Sequence, residues 1–176
     1  MQTRNKVILL LLLIFILHAG FFWLSWEMDN THEPVDPKTG LTMIDGTNKT
    51  MADFHGRPLL VHFWATSCRS CIKEVPRLKS LYKIFKPKGF EMVAVAMPYD
   101  RPDAVITYAN TMTMPWPVAL DVKGDTLSSF GRIQATPSSF LLDQTGTPVF
   151  KHVGLLDMPA LARHIEELLA TGANKP

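Results

Sequence analysis

The chain has 176 residues, with 18 Lys and Arg against 16 Asp and Glu and a formal net charge of +2. This balance, without a long block of like charges, argues against a tail that binds nucleic acid. The GxxxxGKS/T, GxGxxG and HExxH patterns do not occur, so the common signatures of nucleotide binding and zinc proteolysis are missing. Once a hydrophobic N-terminus is set aside, roughly 140 residues remain, which is about one domain.

The first predicted element is a membrane anchor. Residues 7–26 form a 20-residue stretch with no charged side chain, and as a helix they would cover roughly 30 Å, the thickness of a bilayer's hydrocarbon core. Arg4 and Lys6 precede it, whereas residues 27–36 contain acidic side chains but no Lys or Arg. Because basic flanks stay in the cytoplasm, residues 1–6 are predicted to be cytoplasmic and the body of the protein to lie outside.

A cleaved signal peptide is the alternative for this segment, since the aliphatic run at 7–17 has the length of a signal-peptide core. Cleavage requires small residues two positions apart, but Ala19 and Gly20 are adjacent and bulky aromatic residues follow them. The sequence therefore favours an uncleaved anchor. Residues 27–40, which include Pro34 and Pro37, are predicted to form a stalk, and residues 41–176 the folded domain.

The body of the chain alternates predicted strands and helices. The apolar strand at 59–65 has a single histidine in it, as expected for a strand buried in a sheet. In chain order we predict strands at 41–44, 48–51 and 59–65, a helix at 70–85, a strand at 90–97, a helix at 102–112, an extended piece at 116–120, a hairpin at 138–143 and 149–153, and a final helix capped by Asp157 with Leu161, Ile165, Leu168 and Leu169 on its buried side. This order indicates an α/β fold with a central mixed sheet flanked by helices.

The two cysteines of the chain, Cys68 and Cys71, lie where a predicted strand gives way to a predicted helix. A helix N-terminus offers unpaired N–H groups and the positive end of the macrodipole, both of which stabilise a thiolate. Cys68 is expected to be exposed, with a lowered pKa, and to be the attacking sulfur, with Arg69 adding a positive charge nearby. Cys71, one turn deeper on the same face, can close a disulfide and expel a bound partner.

Two structural explanations of this cysteine pair compete with redox chemistry. A structural zinc site generally needs four ligands, and the sequence has no second cysteine pair. A structural disulfide stabilises most when it closes a long loop, whereas this loop is very short. A redox-active dithiol is therefore favoured over both, and we expect neither a metal nor a cofactor in addition to the cysteines.

The segment FWATSCRSC, between a strand and a helix, resembles the active site of the thioredoxin superfamily. The predicted anchor, the WAT tripeptide and the downstream KEVP are similar specifically to the TlpA/ResA-like branch of membrane-anchored, exported thiol-disulfide oxidoreductases. The likeness extends over about residues 41–170. It implies a thioredoxin fold with an N-terminal β-hairpin and a central helix-strand insert.

The resemblance also implies roles for individual residues. Pro76 matches the proline that kinks the active-site helix, and Thr136-Pro137 matches a cis-proline loop that faces the disulfide and binds substrate, although an ordinary trans proline is the alternative. Glu74 matches a glutamate that assists proton transfer; the alternative is a residue on the helix surface. Trp64 is expected to line the substrate surface, with core packing as the alternative.

The function that this resemblance implies is the reduction of disulfides in exported proteins. Apocytochrome c is the best-known kind of client, and a membrane thiol-disulfide transporter would be the electron donor. However, Ser67 stands where the family usually has an aromatic residue, and Arg69-Ser70 replaces the commoner Gly-Pro or Glu-Pro. Because the two intervening residues set the reduction potential, a disulfide-forming oxidase or isomerase remains the main alternative.

A copper-binding chaperone is an alternative from a different class of protein. Met112, Met114, His152 and the two thiols are soft ligands suited to Cu(I), but the methionines are better explained by packing. A peroxidase is disfavoured, because the sequence contains no Pro-x-x-x-Thr-x-x-Cys arrangement.

Overall fold

A computed structural model of the chain describes residues 33–131 and 133–172, together with Phe15, His18 and Gly20, which are helical and exposed. The predicted cytoplasmic segment 1–6, nearly all of the predicted anchor 7–26 and the first part of the stalk lie outside the described residues. Within the described part of the chain, no helix is both long and apolar enough to cross a membrane.

The end of the predicted stalk packs against the folded domain. The domain therefore begins before residue 41, the boundary that the sequence predicted. Val35 is only 5% exposed, and its backbone N–H donates to the Gly146 carbonyl oxygen at 3.0 Å. The hydroxyl of Thr39 donates to that of Ser129 at 3.0 Å. Because the partners are distant in sequence, the local composition of the segment, which predicted a stalk, could not reveal these contacts.

Seven strands form the sheet: β1 Gly40–Met43, β2 Asn48–Thr50, β3 Leu59–Trp64, β4 Glu91–Ala96, β5 Val118–Leu120, β6 Ser138–Leu142 and β7 Pro148–Val153. The helices are α1 Arg69–Phe85, α2 Pro102–Thr111, α3 Asp125–Ser129 and α4 Met158–Gly172, with 3-10 turns at Met51–Phe54 and Lys86–Lys88. Each strand and helix that the sequence predicts between residues 41 and 172 is present to within a few residues.

The short helix α3 was not predicted. It has five residues, which is too few to show a helical period in the sequence. Its first amide groups are bound by a side chain from outside the helix, since the carboxylate of Asp121 accepts hydrogen bonds from Thr126 N at 3.1 Å and Leu127 N at 2.7 Å. A buried carboxylate at a helix N-terminus stabilises the helix through these N–H groups.

The strands form one mixed sheet in the order β2-β1-β5-β4-β3-β6-β7. β3 lies near its centre, parallel to β4 and antiparallel to β6. All six residues of β3 and all six of β4 are buried, as continuous apolar runs predict for strands covered on both faces. The mixed sheet flanked by helices therefore confirms the predicted architecture.

The two faces of β3 serve different cores. Leu60 and Trp64 pack with Cys71, Val75 and other residues of α1 and α4. Leu59, Val61 and Phe63, on the opposite face of β3, pack against β1 and the turn at Met51–Phe54. Because side chains alternate along a strand, His62 lies on the same face as Leu60 and Trp64. This register directs the one histidine of β3 towards the active-site helix.

Helix α4 closes the face that carries α1. Leu161 and Ile165 are fully buried, as predicted, whereas Leu168 and Leu169 are only partly buried at the edge of the same core. The carboxylate of Asp157 accepts a hydrogen bond from Ala160 N at 3.3 Å, which agrees with its predicted role as the N-terminal cap.

Candidate active site

The cysteines lie on the turn between β3 and α1, and this turn is held in place by Asp100. The carboxylate of Asp100 accepts hydrogen bonds from the Thr66 backbone N–H at 2.6 Å and the Thr66 hydroxyl at 2.7 Å. Asp100 follows β4, which runs parallel to β3, so the ends of both strands meet at one edge of the sheet. The sequence reasoning did not identify this contact, although an acidic residue just after a buried parallel strand was a usable signal.

Cys68 and Cys71 form a disulfide, with their Cα atoms 5.3 Å apart. Cys68 is the N-cap of α1, and its Sγ accepts a hydrogen bond from Cys71 N at 3.2 Å. The hydroxyl of Ser70 lies 3.3 Å from the same sulfur. Two polar groups of the first helical turn are therefore directed at Cys68, an arrangement that stabilises a thiolate.

The two sulfurs differ in accessibility. Cys71 is only 1% exposed and belongs to the core between β3 and α1. Cys68 is half-buried, rather than exposed as expected, because it also packs against residues of both cores. An incoming disulfide can therefore reach Cys68 but not Cys71.

Glu74 lies on the buried face of α1, one turn after Cys71, and its side chain has no solvent exposure. Its Oε1 accepts a hydrogen bond from Leu156 N at 2.5 Å, and its Oε2 lies 3.9 Å from His62 Nε2. Burial raises the pKa of Glu74 above its usual value, although the Leu156 N–H and the charges of Arg77 and His152 act in the opposite direction. The alternative of a surface glutamate is thereby excluded.

His62 and Ser139 form a buried pair that the sequence reasoning did not assign to the site. The Nδ1 of His62 lies 2.9 Å from Ser139 Oγ, and the two residues are direct partners across the β3–β6 ladder. Burial lowers the pKa of His62 to about 4, so the imidazole is neutral at neutral pH. A single histidine in an apolar strand was the available signal, but its partners come from other elements.

Trp64 does not line an accessible surface, which corrects the expectation of substrate contact. It is 2% exposed, and its ring packs against Tyr108 with centroids 5.6 Å apart. The indole instead lines a small internal cavity of about 10 Å³ together with His62, Cys71 and Trp116. Trp64 lies on the same face of β3 as Leu60, and this face is covered by α1.

The Thr136–Pro137 peptide bond is cis, as predicted. The carbonyl oxygen of Pro137 accepts a hydrogen bond from Gly154 N at 2.8 Å, so it is already engaged. Thr136 is half-buried and makes no hydrogen bond with the other described residues. Val153, opposite Ser138 in the β6–β7 ladder, and Leu155 are 53% and 50% exposed. They give this side of the sheet an apolar rim.

The methionines and the histidine suggested for copper binding make other contacts in the fold. Met112 and Met114 pack against the core, and His152 stacks on Phe150 while its Nε2 lies 2.9 Å from the Leu155 carbonyl oxygen. Across the described ranges, no group of three or more His, Cys, Asp and Glu side chains is arranged to hold a metal ion. The geometry thus offers no support for a copper chaperone.

Known proteins are similar to this chain in sequence and in fold. A protein-family model described as Redoxin matches residues 32–166. The thiol-disulfide oxidoreductase ResA of Bacillus thuringiensis subsp. konkukian is 30% identical over 168 residues, covering 93% of this chain and 94% of the relative. The ResA of Bacillus anthracis is 32% identical over 154 residues, covering 85% of this chain and 86% of the relative.

Among solved structures, the thioredoxin domain of a thiol-disulfide oxidoreductase from Bacteroides vulgatus matches with a TM-score of 0.67 and 29% identity, covering 79% of this chain and 97% of that one. These findings confirm the predicted thioredoxin fold. They also agree with the resemblance that the active-site sequence indicated.

We predict that, in the reduced protein, Cys68 is alkylated by iodoacetamide faster than Cys71. Cys68 is the accessible sulfur and accepts a hydrogen bond from the N–H of Cys71, so its thiol should titrate below the ordinary value of about 8.5. Mass mapping of the alkylated peptides across a pH series measures both rates. In urea the two cysteines should react alike, which serves as the control, and equal rates in the folded protein would contradict the assignment of the nucleophile.

Proposed function

The chain belongs to the Redoxin family and is a thiol-disulfide oxidoreductase, and from this we propose that it reduces disulfides in exported proteins, including apocytochrome c. The observation that carries the proposal is the Cys68–Cys71 pair at the start of α1, with one sulfur accessible and the other buried beside a carboxyl group. Such a pair can exchange two electrons with a client disulfide without any cofactor.

The reaction proceeds in two exchanges. The Cys68 thiolate attacks one sulfur of the client disulfide, breaking the client's S–S bond and releasing its other sulfur as a thiolate. The Cys71 thiolate then attacks Cys68 Sγ, forms the Cys68–Cys71 disulfide and releases the second client sulfur. The client gains two electrons as the dithiol is oxidised, and its two thiolates take up protons.

The first exchange depends on Cys68 being ionised. The N–H of Cys71, the hydroxyl of Ser70 and the N-terminal end of α1 all stabilise a negative charge on its sulfur. Arg69 at the first helical position adds a positive charge on the exposed side. The nucleophile is therefore activated by groups of its own helical turn.

The second exchange needs a base, because Cys71 is buried and must lose its proton before it attacks. Glu74 is the candidate: it follows Cys71 by one turn on the same buried face of α1. A base works best when its pKa lies near the working pH, and burial moves the pKa of Glu74 upward in that direction.

Client binding is assigned to the cis-proline loop. The backbone N–H and C=O of Thr136 have no partners among the described residues, so they can pair with an extended client segment. Val153 and Leu155 offer apolar contacts on the same side of the sheet. Main-chain pairing with a few apolar contacts accepts many sequences, which suits an enzyme that acts on several clients.

The cellular setting of the proposal follows from the N-terminal sequence. Residues 7–26 anchor the protein in a bacterial inner membrane with residues 1–6 in the cytoplasm, and the domain lies on the outer side. A membrane thiol-disulfide transporter restores the dithiol, since both cysteines of the sequence are consumed in the disulfide that each cycle forms.

We predict that Cys71→Ser traps client proteins on Cys68 as mixed disulfides, because the second exchange is blocked. The trapped proteins, identified by mass spectrometry, should be exported proteins with cysteine pairs, and Cys68→Ser should trap none. The reduction potential should lie nearer the thioredoxin value of about −270 mV than the value of about −120 mV of a strong periplasmic oxidant. A potential near the latter would show that the protein forms disulfides instead.

We predict that Glu74→Gln slows the second exchange by about 10²-fold, the low end for a general base, while the attack by Cys68 stays nearly unchanged. In the parent protein the second exchange should slow as pH falls through the raised pKa of Glu74, because the protonated carboxyl cannot accept another proton. Rapid-quench kinetics with a model disulfide peptide separate the two steps. Glu166→Gln, on the exposed face of α4, is the matched control, and an unchanged second step would remove Glu74 from the mechanism.

We predict that a phosphatase reporter active only outside the cytoplasm is active when it is fused after Pro176. The mature protein should keep its N-terminal residues and sediment with membranes. The same reporter fused after Lys6 should be inactive. A soluble mature form beginning near Glu27 would show instead that the first segment is a cleaved signal peptide.

A further inference from the structure

The Oε2 atom of Glu74 is buried and has no hydrogen-bond partner among the described residues. The nearest ionisable group is His62, whose Nε2 lies 3.9 Å away. Arg77, on α1, and His152, on β7, act on this carboxyl through their charges. Of these, only His62 shares its buried surroundings, being 3% exposed.

The Ser139 hydroxyl lies at the other ring nitrogen of His62. The Ser139 hydroxyl is fully buried, and His62 Nδ1, at 2.9 Å, is its only hydrogen-bond partner in the described part of the chain. When this hydroxyl donates to Nδ1, the imidazole proton is on Nε2 and points towards Glu74. A neutral histidine then stabilises the ionised carboxyl by presenting an N–H to it.

Burial restricts the charge that this site can hold. Burial raises the pKa of Glu74 and lowers the pKa of His62. A charge on either group therefore has to be stabilised by polar groups around it. Two such groups within a few ångströms of each other titrate as a pair. One dissociable proton and at most one negative charge are therefore shared between them near neutral pH.

A cavity of about 10 Å³ joins one member of this pair to the resolving cysteine, since His62 and Cys71 both line it. Its volume is about what one water molecule needs. Two further lining residues, Trp64 and Trp116, have buried indole N–H groups without a partner among the described residues. A single water there would have polar groups to bind beside Cys71, and the group that finally takes the proton is the Glu74 carboxylate.

We propose that His62 and Glu74 act as one proton-accepting unit, oriented by Ser139, that takes the proton of Cys71 when the mixed disulfide is resolved. The inference deepens the proposed function and rests on it. His62 is a positioning residue: it acts through Glu74 and through the geometry of the cavity. Ser139, which touches neither Cys71 nor a client, sets the imidazole tautomer.

The proton balance of the step is simple. Before it, Cys71 is a thiol and the pair carries one negative charge, on the Glu74 carboxylate. The proton passes from Cys71 to the pair, the new thiolate attacks Cys68 Sγ, and the bond between Cys68 and the client breaks. The departing client sulfur takes the electron pair, so the negative charge moves from the carboxyl to Cys71 and then out with the client. The proton held by the pair returns to solvent before the next cycle.

A double-mutant cycle on the full-length protein in detergent tests the unit, with the rate of the second exchange followed from pH 5 to 9. His62→Asn removes the group facing Glu74 but keeps a polar atom near Ser139. Without the Nε2–H the ionised carboxyl is less stable, so the midpoint of the pH profile should move upward by about one unit. At a pH below both midpoints, a one-unit shift lowers the fraction of ionised base about tenfold. The first exchange should keep its rate and its pH profile.

In a Glu74→Gln background, His62→Asn should have no further effect, since the unit is already lost. Ser139→Ala should shift the profile in the same direction by less. His152→Asn tests whether the other histidine near Glu74 produces the pH dependence. His55→Asn, at an exposed position, is the matched control. Neither variant should move the midpoint of the pH profile by as much as His62→Asn.

A second measurement needs no substitution at the site. In the oxidised parent protein, labelled with ¹³C and ¹⁵N, the Glu74 carboxyl carbon and the His62 ring nitrogens should report one common titration midpoint, with the proton of neutral His62 on Nε2. Separate midpoints, or a proton on Nδ1, would overturn the proposal even if every variant failed to fold.

The outcomes separate this inference from the proposed function. Equal effects of His62→Asn with and without Glu74, or an unmoved pH profile, overturn the unit while leaving Glu74 as the base. A second exchange unaffected by Glu74→Gln removes both the unit and the role of Glu74. Failure of Cys71→Ser to trap exported proteins overturns the reductase function itself, whatever the pH profiles show.

Discussion

The burial of the Glu74 carboxyl is the constraint on which the geometry of the site depends. A carboxyl without solvent contact is costly unless polar groups surround it, and here those groups come from separate parts of the chain. Leu156 N, from the loop before α4, binds one oxygen at 2.5 Å, and His62, from β3, lies beside the other. The central sheet, α1 and the C-terminal helix must therefore all be in place before the carboxyl is accommodated, so the proton acceptor exists only in the folded domain.

The same arrangement makes the two sulfurs unequal. They are three residues apart, yet Cys68 caps the helix and accepts the N–H of Cys71, whereas Cys71 lies in the core and lines a small cavity with His62. Asp100 ties the turn to the end of β4 through Thr66, which holds this orientation. A chemically symmetric pair of thiols thus becomes an accessible nucleophile and a buried resolving sulfur, and proton transfer is needed only at the second.

The proposed roles complement one another along the reaction. Groups of the first helical turn stabilise charge on Cys68 at the surface, where solvent also contributes. Beneath it, where solvent is excluded and charge is costly, the His62–Glu74 unit lets one negative charge move from carboxyl to sulfur without a second charge being buried. The redox step at the surface and the proton step in the interior are therefore served by different elements that meet at Cys71.

Much of this was determined by the sequence alone, because the signals were local. Apolar runs and helical spacing predicted the strands and the long helices, and the position of Cys68 and Cys71 at a strand-to-helix junction predicted the active site. The cis bond before Pro137 was implied by the resemblance to the thioredoxin superfamily. The three-residue spacing placed Glu74 on the face of Cys71. The Redoxin family model matches residues 32–166, which include all of these sequence patterns except the last part of the final helix.

Other features were decided only by tertiary structure. The register of β3 with β6 and the packing of α1 decide which face of β3 carries His62 and Trp64. As a result, His62 faces the Glu74 carboxyl and Trp64 is buried away from clients. The partnership of His62 with Ser139 joins residues 77 positions apart, and α3 is capped by a side chain outside it. Periodicity and spacing report how a residue relates to its chain neighbours, whereas these contacts arise between elements brought together only when the sheet and its two cores assemble.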